Sequence, residues 1–213
     1  NRALLALDVT EEVVGEAIEL GAQLIISHHP LIFSKLRSIM DTKLLRLAEN
    51  RIAVISMHTN LDIAAGGVND VLITLLGARA DGPLDPDNCG RVGELPEAQQ
   101  FDIFLRFCKT ALDSKGLRYY DAGRPVKRLA VMGGSGGDYI GCAVEKGCDT
   151  YVTADIKYHQ FLEAKELGIN LIDGDHFCTE NPVIPSLCEK LRHEFPDVCF
   201  AVSASHGQVI SFI

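Results

Sequence analysis

The chain has 213 residues, of which 47% are hydrophobic and 23% are charged, and its 29 acidic against 20 basic side chains give a formal net charge of −9. This apolar content excludes a disordered or fibrous protein, and the length allows one large domain or two small ones with a genuine hydrophobic core. The acidic balance disfavours binding to nucleic acid or to anionic lipid. No apolar run approaches the ~20 residues that cross a bilayer and no secretory leader is evident, so we expect a cytoplasmic protein.

The cysteine pattern points in the same direction. Seven cysteines are scattered along the chain, and none forms a C-x-x-C pair. This pattern favours reduced, mostly buried thiols over a disulfide framework or a zinc-thiolate site. The sequence opens on Asn1 rather than on methionine, and an apolar strand pattern begins almost at once. We therefore expect further residues upstream in the natural protein.

The first part of the chain alternates strand and helix patterns. Thr10 is a typical N-cap residue, and Val13, Val14 and Ala17 form the apolar face of the helix that follows it. In chain order, the patterns predict a strand at 3–7, a helix at 11–20, strands at 24–26 and 52–57 on either side of a helix at 41–49, and a helix at 68–76. Strands that alternate with helices predict an α/β fold with a largely parallel sheet.

A loop rich in Asp, Pro and Gly at 81–88 marks a candidate domain boundary. Beyond it, the patterns predict a strand at 92–95, a helix at 96–114, strands at 117–120 and 128–132, a helix at 139–146, and strands at 150–153 and 170–173. The strand, helix and strand at 128–153 repeat the opening plan, with Gly147 aligned on Gly21. We infer an internal duplication, that is, two copies of one α/β plan with mainly parallel sheets. The predicted halves are 1–88 and 127–213, joined by a connecting segment at 89–126.

Four of the seven histidines stand at or shortly after predicted strand ends, where open α/β sheets bind their ligands: His28, His29, His58 and His176. His58 and His176 are each followed four residues later by a carboxylate, Asp62 and Glu180 respectively. Successive residues of an extended chain point to opposite sides, so we expect His28 and His29 to serve two ions rather than one.

Together with Asp62 and Glu180, the histidines His28, His29 and His176 would supply three neutral nitrogens and two carboxylates. That set is sufficient for two divalent ions with open positions, which would activate water and clamp the charged oxygens of a substrate. A lone histidine at a strand end is more often a hydrogen-bonded structural residue. The adjacent pair and the two repeated His-x-x-x-carboxylate elements favour metal. Three roles for His58 stay open, namely a ligand, a residue that supports the ligands, and a proton shuttle.

The run Gly133-Gly134-Ser135-Gly136-Gly137 precedes a predicted helix and could offer backbone N–H groups to a phosphate. It lacks both the Lys-Ser/Thr of a P-loop and the spacing of a dinucleotide fingerprint. A tight turn from strand to helix is the better interpretation.

These residues resemble a known family, the NIF-three-like proteins, also called GTP cyclohydrolase 1 type 2 homologs. The resemblance rests on Ser27 to Phe33, His58 to Asp62, Gly90 to Gly93, Thr153 to His159 and Asp173 to Glu180. It implies a dinuclear metal centre held by His28, His29, Asp62, His176 and Glu180, two intertwined α/β domains and a ring-shaped homohexamer. Asp175 stands where the family has glycine, and this extra carboxylate would orient the ring of His176 or alter the metal preference.

The resemblance leaves two functions open. The first is a metal-dependent hydrolase of a small, nucleotide-like substrate, with His58 and His159 as proton-transfer candidates. The second is a non-catalytic role in metal binding and delivery or as a protein-interaction scaffold. The mixed nitrogen and oxygen ligands suit two ions of Zn, Mn, Fe or Mg equally.

Overall fold

In the computed structural model, which describes residues 1–36 and 38–213, the chain divides into two units. Unit 1 comprises residues 1–61 and 184–209, and unit 2 comprises residues 62–183 and 210–213. The elements in chain order are β1 (Arg2–Ala6), α1 (Glu11–Glu19), β2 (Leu24–Ser27), α2 (Thr42–Glu49), β3 (Ala53–Ser56), α3 (Thr59–Ile63), α4 (Val68–Leu75), β4 (Arg79–Gly82), β5 (Arg91–Gln99), α5 (Phe101–Ala111), β6 (Arg118–Tyr120), β7 (Val126–Ser135), α6 (Ile140–Glu145), β8 (Thr150–Ala154), α7 (Tyr158–Leu167), β9 (Asn170–Asp173), α8 (His176–Glu180), α9 (Val183–Glu194) and β10 (Cys199–Val202).

Unit 1 contains a four-stranded sheet in the order β10-β1-β2-β3, in which every pair of neighbours is parallel. Thr10 caps α1 as predicted, since its side chain accepts a hydrogen bond from the Val13 N–H. Asp41 caps α2 in the same way, through the N–H groups of Lys43 and Leu44. The apolar face of α1 packs with β1 and β2 in one buried cluster, which therefore covers one face of this sheet.

Unit 2 contains a six-stranded sheet in the order β4-β5-β7-β8-β9-β6. Strands β7, β8 and β9 are parallel neighbours in chain order, as β1, β2 and β3 are in unit 1. The outer strands β4, β5 and β6 pair antiparallel. The fold is therefore α/β with mainly parallel sheets, and an order of three parallel strands occurs in both units.

Both faces of the central strands in unit 2 are buried. Leu129 and Val131 of β7 belong to one cluster, with α4 and α5. Ala130 and Met132 belong to the other, with α6 and α7. Burial on both faces explains why these strands are continuous apolar runs rather than alternating ones.

Several predicted boundaries differ from the structure. The predicted division at 88 and 127 falls inside unit 2, because residues 62–183 form one unit. The helix predicted from 96 begins only at Phe101, since Pro96 lies in β5. β7 continues through Gly133 and Gly134, where the prediction placed a turn, and its register with β8 shifts between Val131 and Ser135. The glycines are therefore part of a bulged strand.

No helix among the described residues is both long and apolar enough to span a membrane. The cysteines form no disulfide within residues 1–36 and 38–213, and Cys108, Cys148, Cys178 and Cys188 are buried. This agrees with the predicted reduced and mostly buried thiols.

Candidate metal centre

A cluster of three imidazole rings lies at the carboxyl ends of β2 and β3 in unit 1. The two strands are parallel and in register, with Ser27 opposite Ser56, so the residues that follow them come out at the same edge. Ligand nitrogens of His28, His29 and His58 all lie within 4.8 Å of one another. The ring centroid of His28 lies 5.0 Å from that of His29 and 5.2 Å from that of His58.

The rings of His28 and His29 lie near each other although the two residues are consecutive. Strand β2 ends at Ser27, and the chain bends at the two histidines, where the His29 N–H donates to the Leu7 carbonyl at 2.9 Å. The alternation of side chains applies only within an extended strand. The bend therefore brings the two rings near each other, and their service to two ions stays a prediction.

Two of these rings are fixed through Nδ1. His28 Nδ1 lies 2.8 Å from the Met57 carbonyl oxygen, and His29 Nδ1 lies 2.7 Å from Asp8 Oδ1. Metal-binding histidines characteristically donate one ring N–H to a carbonyl or carboxylate, which fixes the ring and directs the other nitrogen to the ion. His28 and His29 would thus bind a cation through Nε2. The donor set and its hydrogen bonds fit a divalent metal.

Unit 2 contributes a second group of potential ligands, which comprises Asp62 and residues of the short helix α8. His176 Nε2 lies 3.1 Å from Glu180 Oε2, four residues along α8, and Nδ1 lies 2.7 Å from Asp155 Oδ2. Carboxylate oxygens of Asp62 and Glu180 lie within 4.8 Å of each other. Glu180 is buried, with a relative exposure of 4%.

The carboxylates around His176 stabilise its protonated form. The hydrogen bond with Glu180 raises the pKa of His176 to about 9; burial opposes this rise, and the charges of Glu180 and Asp155 add to it. The protonated ring donates on one side to Asp155 and on the other to Glu180. A cation bound between His176 Nε2 and Glu180 would replace that proton, which is the behaviour of a metal ligand.

Asp155 lies within hydrogen-bond distance of the His176 ring, at Nδ1. The Asp175 carboxylate accepts a hydrogen bond from the Cys178 N–H at 3.2 Å and caps α8. Asp155 and Asp175 have positive φ angles of 55° and 75°. Such conformations cost free energy in residues other than glycine and cluster at functional sites. His176 thus follows one residue with a positive φ in the chain and is hydrogen-bonded to the other.

A cavity of about 240 Å³ opens beside His176 in unit 2. Its polar lining includes Arg118, Asp155 and Asp173, and Phe212 supplies an apolar wall. Arg118 pairs with Asp173 and donates to the Ile156 carbonyl at 2.8 Å. A space of this size beside potential metal ligands is sufficient for part of a small molecule.

The glycine run packs against the unit 2 ligands rather than offering an open phosphate loop. A Cβ atom on Gly134 would lie 2.2 Å from Glu180 Oε1 and 3.2 Å from His176 Nε2. The Gly134 N–H donates to Thr179 Oγ1 at 3.0 Å, and the Gly134 carbonyl accepts from Thr153 Oγ1 at 3.1 Å. The bulge in β7 therefore connects α8 to the end of β8.

Sequence reasoning did not identify the two aspartates that orient histidines. Asp8 follows β1, the neighbour of β2, and Asp155 follows β8, the neighbour of β9. An aspartate just beyond the strand next to a histidine-bearing strand is the signal that could have found both. His159, a predicted proton-transfer residue, is exposed on the first turn of α7. Among the described residues it belongs to none of the groups of potential metal ligands.

The fold and these residues define a class, namely an α/β protein whose strand-end histidines and carboxylates form groups that could hold metal ions. Comparison with known proteins shows to which family it belongs. The sequence matches the family described as Duf34/NIF3 (NGG1p interacting factor 3) over residues 1–208. The chain belongs to this family.

Relatives with assigned names include two bacterial proteins, each called GTP cyclohydrolase 1 type 2 homolog. The protein from Clostridium perfringens is 38% identical, over 100% of this chain and 86% of its own length. The protein from Nostoc is 39% identical, over 90% of this chain and 77% of its own length.

Solved structures show the same fold. A Bacillus cereus protein related to NIF3 has a TM-score of 0.90 at 27% identity, covering 100% of this chain and 89% of that one. Reduced HcgD from Methanocaldococcus jannaschii has a TM-score of 0.82 at 31% identity, covering 94% and 82% respectively.

Proposed function

We propose that this protein binds two divalent metal ions and hydrolyses a small, nucleotide-like substrate, as the name GTP cyclohydrolase 1 type 2 homolog implies for its relatives. The proposed ligands are His28, His29, Asp62, His176 and Glu180. The observation that supports the proposal is the hydrogen bonding of the histidines, because Nδ1 of His28, His29 and His176 each has an oxygen partner within 2.8 Å. Such bonding is typical of metal-binding imidazoles.

Divalent ions supply Lewis acidity, which polarises a substrate oxygen and activates water. The chain's own residues do the rest. Asp8 and Asp155 keep the rings of His29 and His176 in one orientation. His58 lies with His28 and His29, with its ring centroid 6.1 Å from that of Phe33, and we propose that it transfers a proton during hydrolysis. His159 is the second proton-transfer candidate.

The test is metal analysis followed by an activity screen. Purified protein should retain divalent metal by mass spectrometry, and His28→Ala and Asp62→Ala should lose it. His193→Ala is the matched control, because its side chain is 86% exposed on α9. The metal-loaded protein is then assayed with GTP and with a panel of nucleotides and phosphate esters. Absence of metal from the wild-type protein, or retention by both ligand variants, would contradict the metal site.

The second candidate function is non-catalytic metal binding and delivery, or a protein-interaction scaffold. The family description, which names an interacting factor, favours it. Metal-loaded protein that is inert against the whole panel would support this function over hydrolysis. A partner that binds wild-type and His28→Ala protein equally would identify a scaffold that does not need the metal.

We also propose a homo-oligomer, a hexamer by the family resemblance. Light scattering coupled to size-exclusion chromatography tests it, since a hexamer would have six times the chain mass of 23.2 kDa.

A further inference from the structure

Asp62 lies in a helix that is too short to be stable by itself. The helix α3 has five residues, Thr59–Ile63. Helices this short are not stable by themselves, so their placement depends on tertiary contacts. The location of the Asp62 carboxylate is therefore decided by what binds the backbone around it.

Asn69 is the side chain that binds the backbone of Asp62 itself. It is the second residue of α4 and has a relative exposure of 1%. Its Nδ2 donates to the Asp62 carbonyl oxygen at 3.0 Å. Its Oδ1 accepts from the Gly133 N–H at 2.9 Å. One buried amide thus joins the Asp62 segment to the bulge in β7.

The bulge is also where the segment of Glu180 is attached. A Cβ atom on Gly133 would lie 3.3 Å from Glu180 Cγ, so the strand passes directly beside that side chain. The adjacent Gly134 N–H donates to Thr179 Oγ1, the residue before Glu180. Consecutive backbone N–H groups of one strand therefore hold the two segments that carry the carboxylates, one through Asn69 and one through Thr179.

The chemistry of asparagine suits this position. A primary amide has both donors and an acceptor, so it can bind a carbonyl on one side and an N–H on the other. It is also neutral, so it neither repels nor competes for a cation near the carboxylates. Substituting Asn69 by a residue without an amide removes a buried hydrogen-bond partner from the Asp62 carbonyl and another from the Gly133 N–H.

We propose that Asn69 is a positioning residue for metal binding, which sets the separation between the Asp62 and Glu180 carboxylates through the Gly133 backbone. This inference rests on the proposed metal-binding function. Asn69 binds no metal itself. It acts through the residues that do, as residues that support metal ligands do in other proteins.

The test is Asn69→Ala against a matched control, Asn170→Ala. Asn170 is also buried, donates from Nδ2 to the Arg124 carbonyl at 3.0 Å and accepts the Ala122 N–H at 2.9 Å. It belongs to unit 2 as well, at the start of β9. Both substitutions therefore remove a donor to a buried carbonyl and an acceptor of a backbone N–H, and Asn170→Ala also removes a donor to Thr150 Oγ1 at 3.0 Å. Affinity is measured by titration with Zn²⁺ and with Co²⁺, whose visible absorption reports the ligand geometry.

We expect Asn69→Ala to weaken metal affinity by about 10- to 100-fold, the usual effect of removing such support, and to change the Co²⁺ spectrum. Asn170→Ala should leave both unchanged. Amide exchange at Gly133 should accelerate in Asn69→Ala even without metal, because its acceptor is gone.

If Asn69→Ala does not fold, Asn69→Asp keeps the acceptor for the Gly133 N–H and loses the donor to Asp62. The added negative charge by itself favours a cation, so weaker binding identifies lost positioning. Wild-type affinity and spectrum in the variant that folds would overturn the inference and leave the proposed function intact. Equal losses in Asn69→Ala and Asn170→Ala would overturn it too, since the effect would then be a general one on stability. A wild-type protein that binds no metal would overturn both.

Discussion

Gly134→Ala tests how closely the β7 bulge approaches the potential metal ligands. Gly134 has a φ of +66°, in the left-handed region that favours glycine. The added methyl group would lie 2.2 Å from Glu180 Oε1 and 3.2 Å from His176 Nε2. Because contacts of 2.2 Å are impossible, the buried Glu180 carboxylate has to move away from the added methyl group.

The expected loss of stability has two parts. A residue other than glycine in the left-handed region costs about 1–2 kcal/mol. Disturbing the hydrogen bonds of a buried carboxylate adds about 1–3 kcal/mol. We therefore expect Gly134→Ala to lower the free energy of unfolding by about 2–5 kcal/mol, and to weaken metal binding through the displacement of Glu180.

Gly168→Ala is the matched control. Gly168 ends α7 with a φ of +67°, and a Cβ atom there meets nothing within 4 Å. It therefore carries the backbone cost alone, about 1–2 kcal/mol. Urea unfolding followed by circular dichroism measures both variants, and titration with Zn²⁺ compares their metal affinities. Equal stability losses, together with wild-type metal affinity in Gly134→Ala, would refute the reasoning.

Three further predictions concern other parts of the molecule. Asp155→Ala should weaken metal binding about 10- to 100-fold by releasing the ring of His176, as measured by titration with Zn²⁺. Burial raises the pKa of Glu16, but hydrogen bonds from Ser203, Ala204 and Ser205 outweigh burial and lower it. The stabilisation by Glu16 is thus present above its unfolded pKa, near 4.5, and lost as pH falls through the folded pKa, so Glu16→Gln should destabilise the protein at pH 7 and reduce this acid dependence. Phe104→Ala, at a fully buried position, should cost about 3–5 kcal/mol in urea unfolding.

Each of these predictions has its own comparison. Wild-type metal affinity in Asp155→Ala would show that the His176 ring is held by other contacts. Glu19→Gln removes the same charge from the same helix and is the control for net charge. An identical pH profile for Glu16→Gln and wild type would contradict the role of Glu16. A loss below about 1 kcal/mol in Phe104→Ala would show that this core is loosely packed.

Local patterns in the sequence were sufficient to predict the alternation of strands and helices. Thr10 caps its helix where its residue type predicts a cap. Burial on both faces makes the central strands continuous apolar runs that are easily recognised. The strand ends then show where histidines come out of the sheet, and the cluster of His28, His29 and His58 follows from parallel strands in register.

Boundaries were less predictable where tertiary pairing competes with local preference. Pro96 lies in β5, which pairs with β7 through a register shift, although the residues after it have a helical pattern. The glycines of β7 indicate a turn by composition, yet α8 and β8 hold them in a strand. The division into units depends on the last part of the chain, because β10 pairs with β1.

The sequence by itself determined the α/β class, the strand ends and the residue types that could hold a metal ion, because these depend on periodicity and on neighbours in the chain. Only the tertiary structure decided what holds those residues. Asp8 and His29, like Asp155 and His176, are 21 positions apart, and Asn69 and Gly133 are 64 positions apart. Hydrogen bonds over such separations leave no periodic signal in a single sequence, since they form only when the strands and helices have packed.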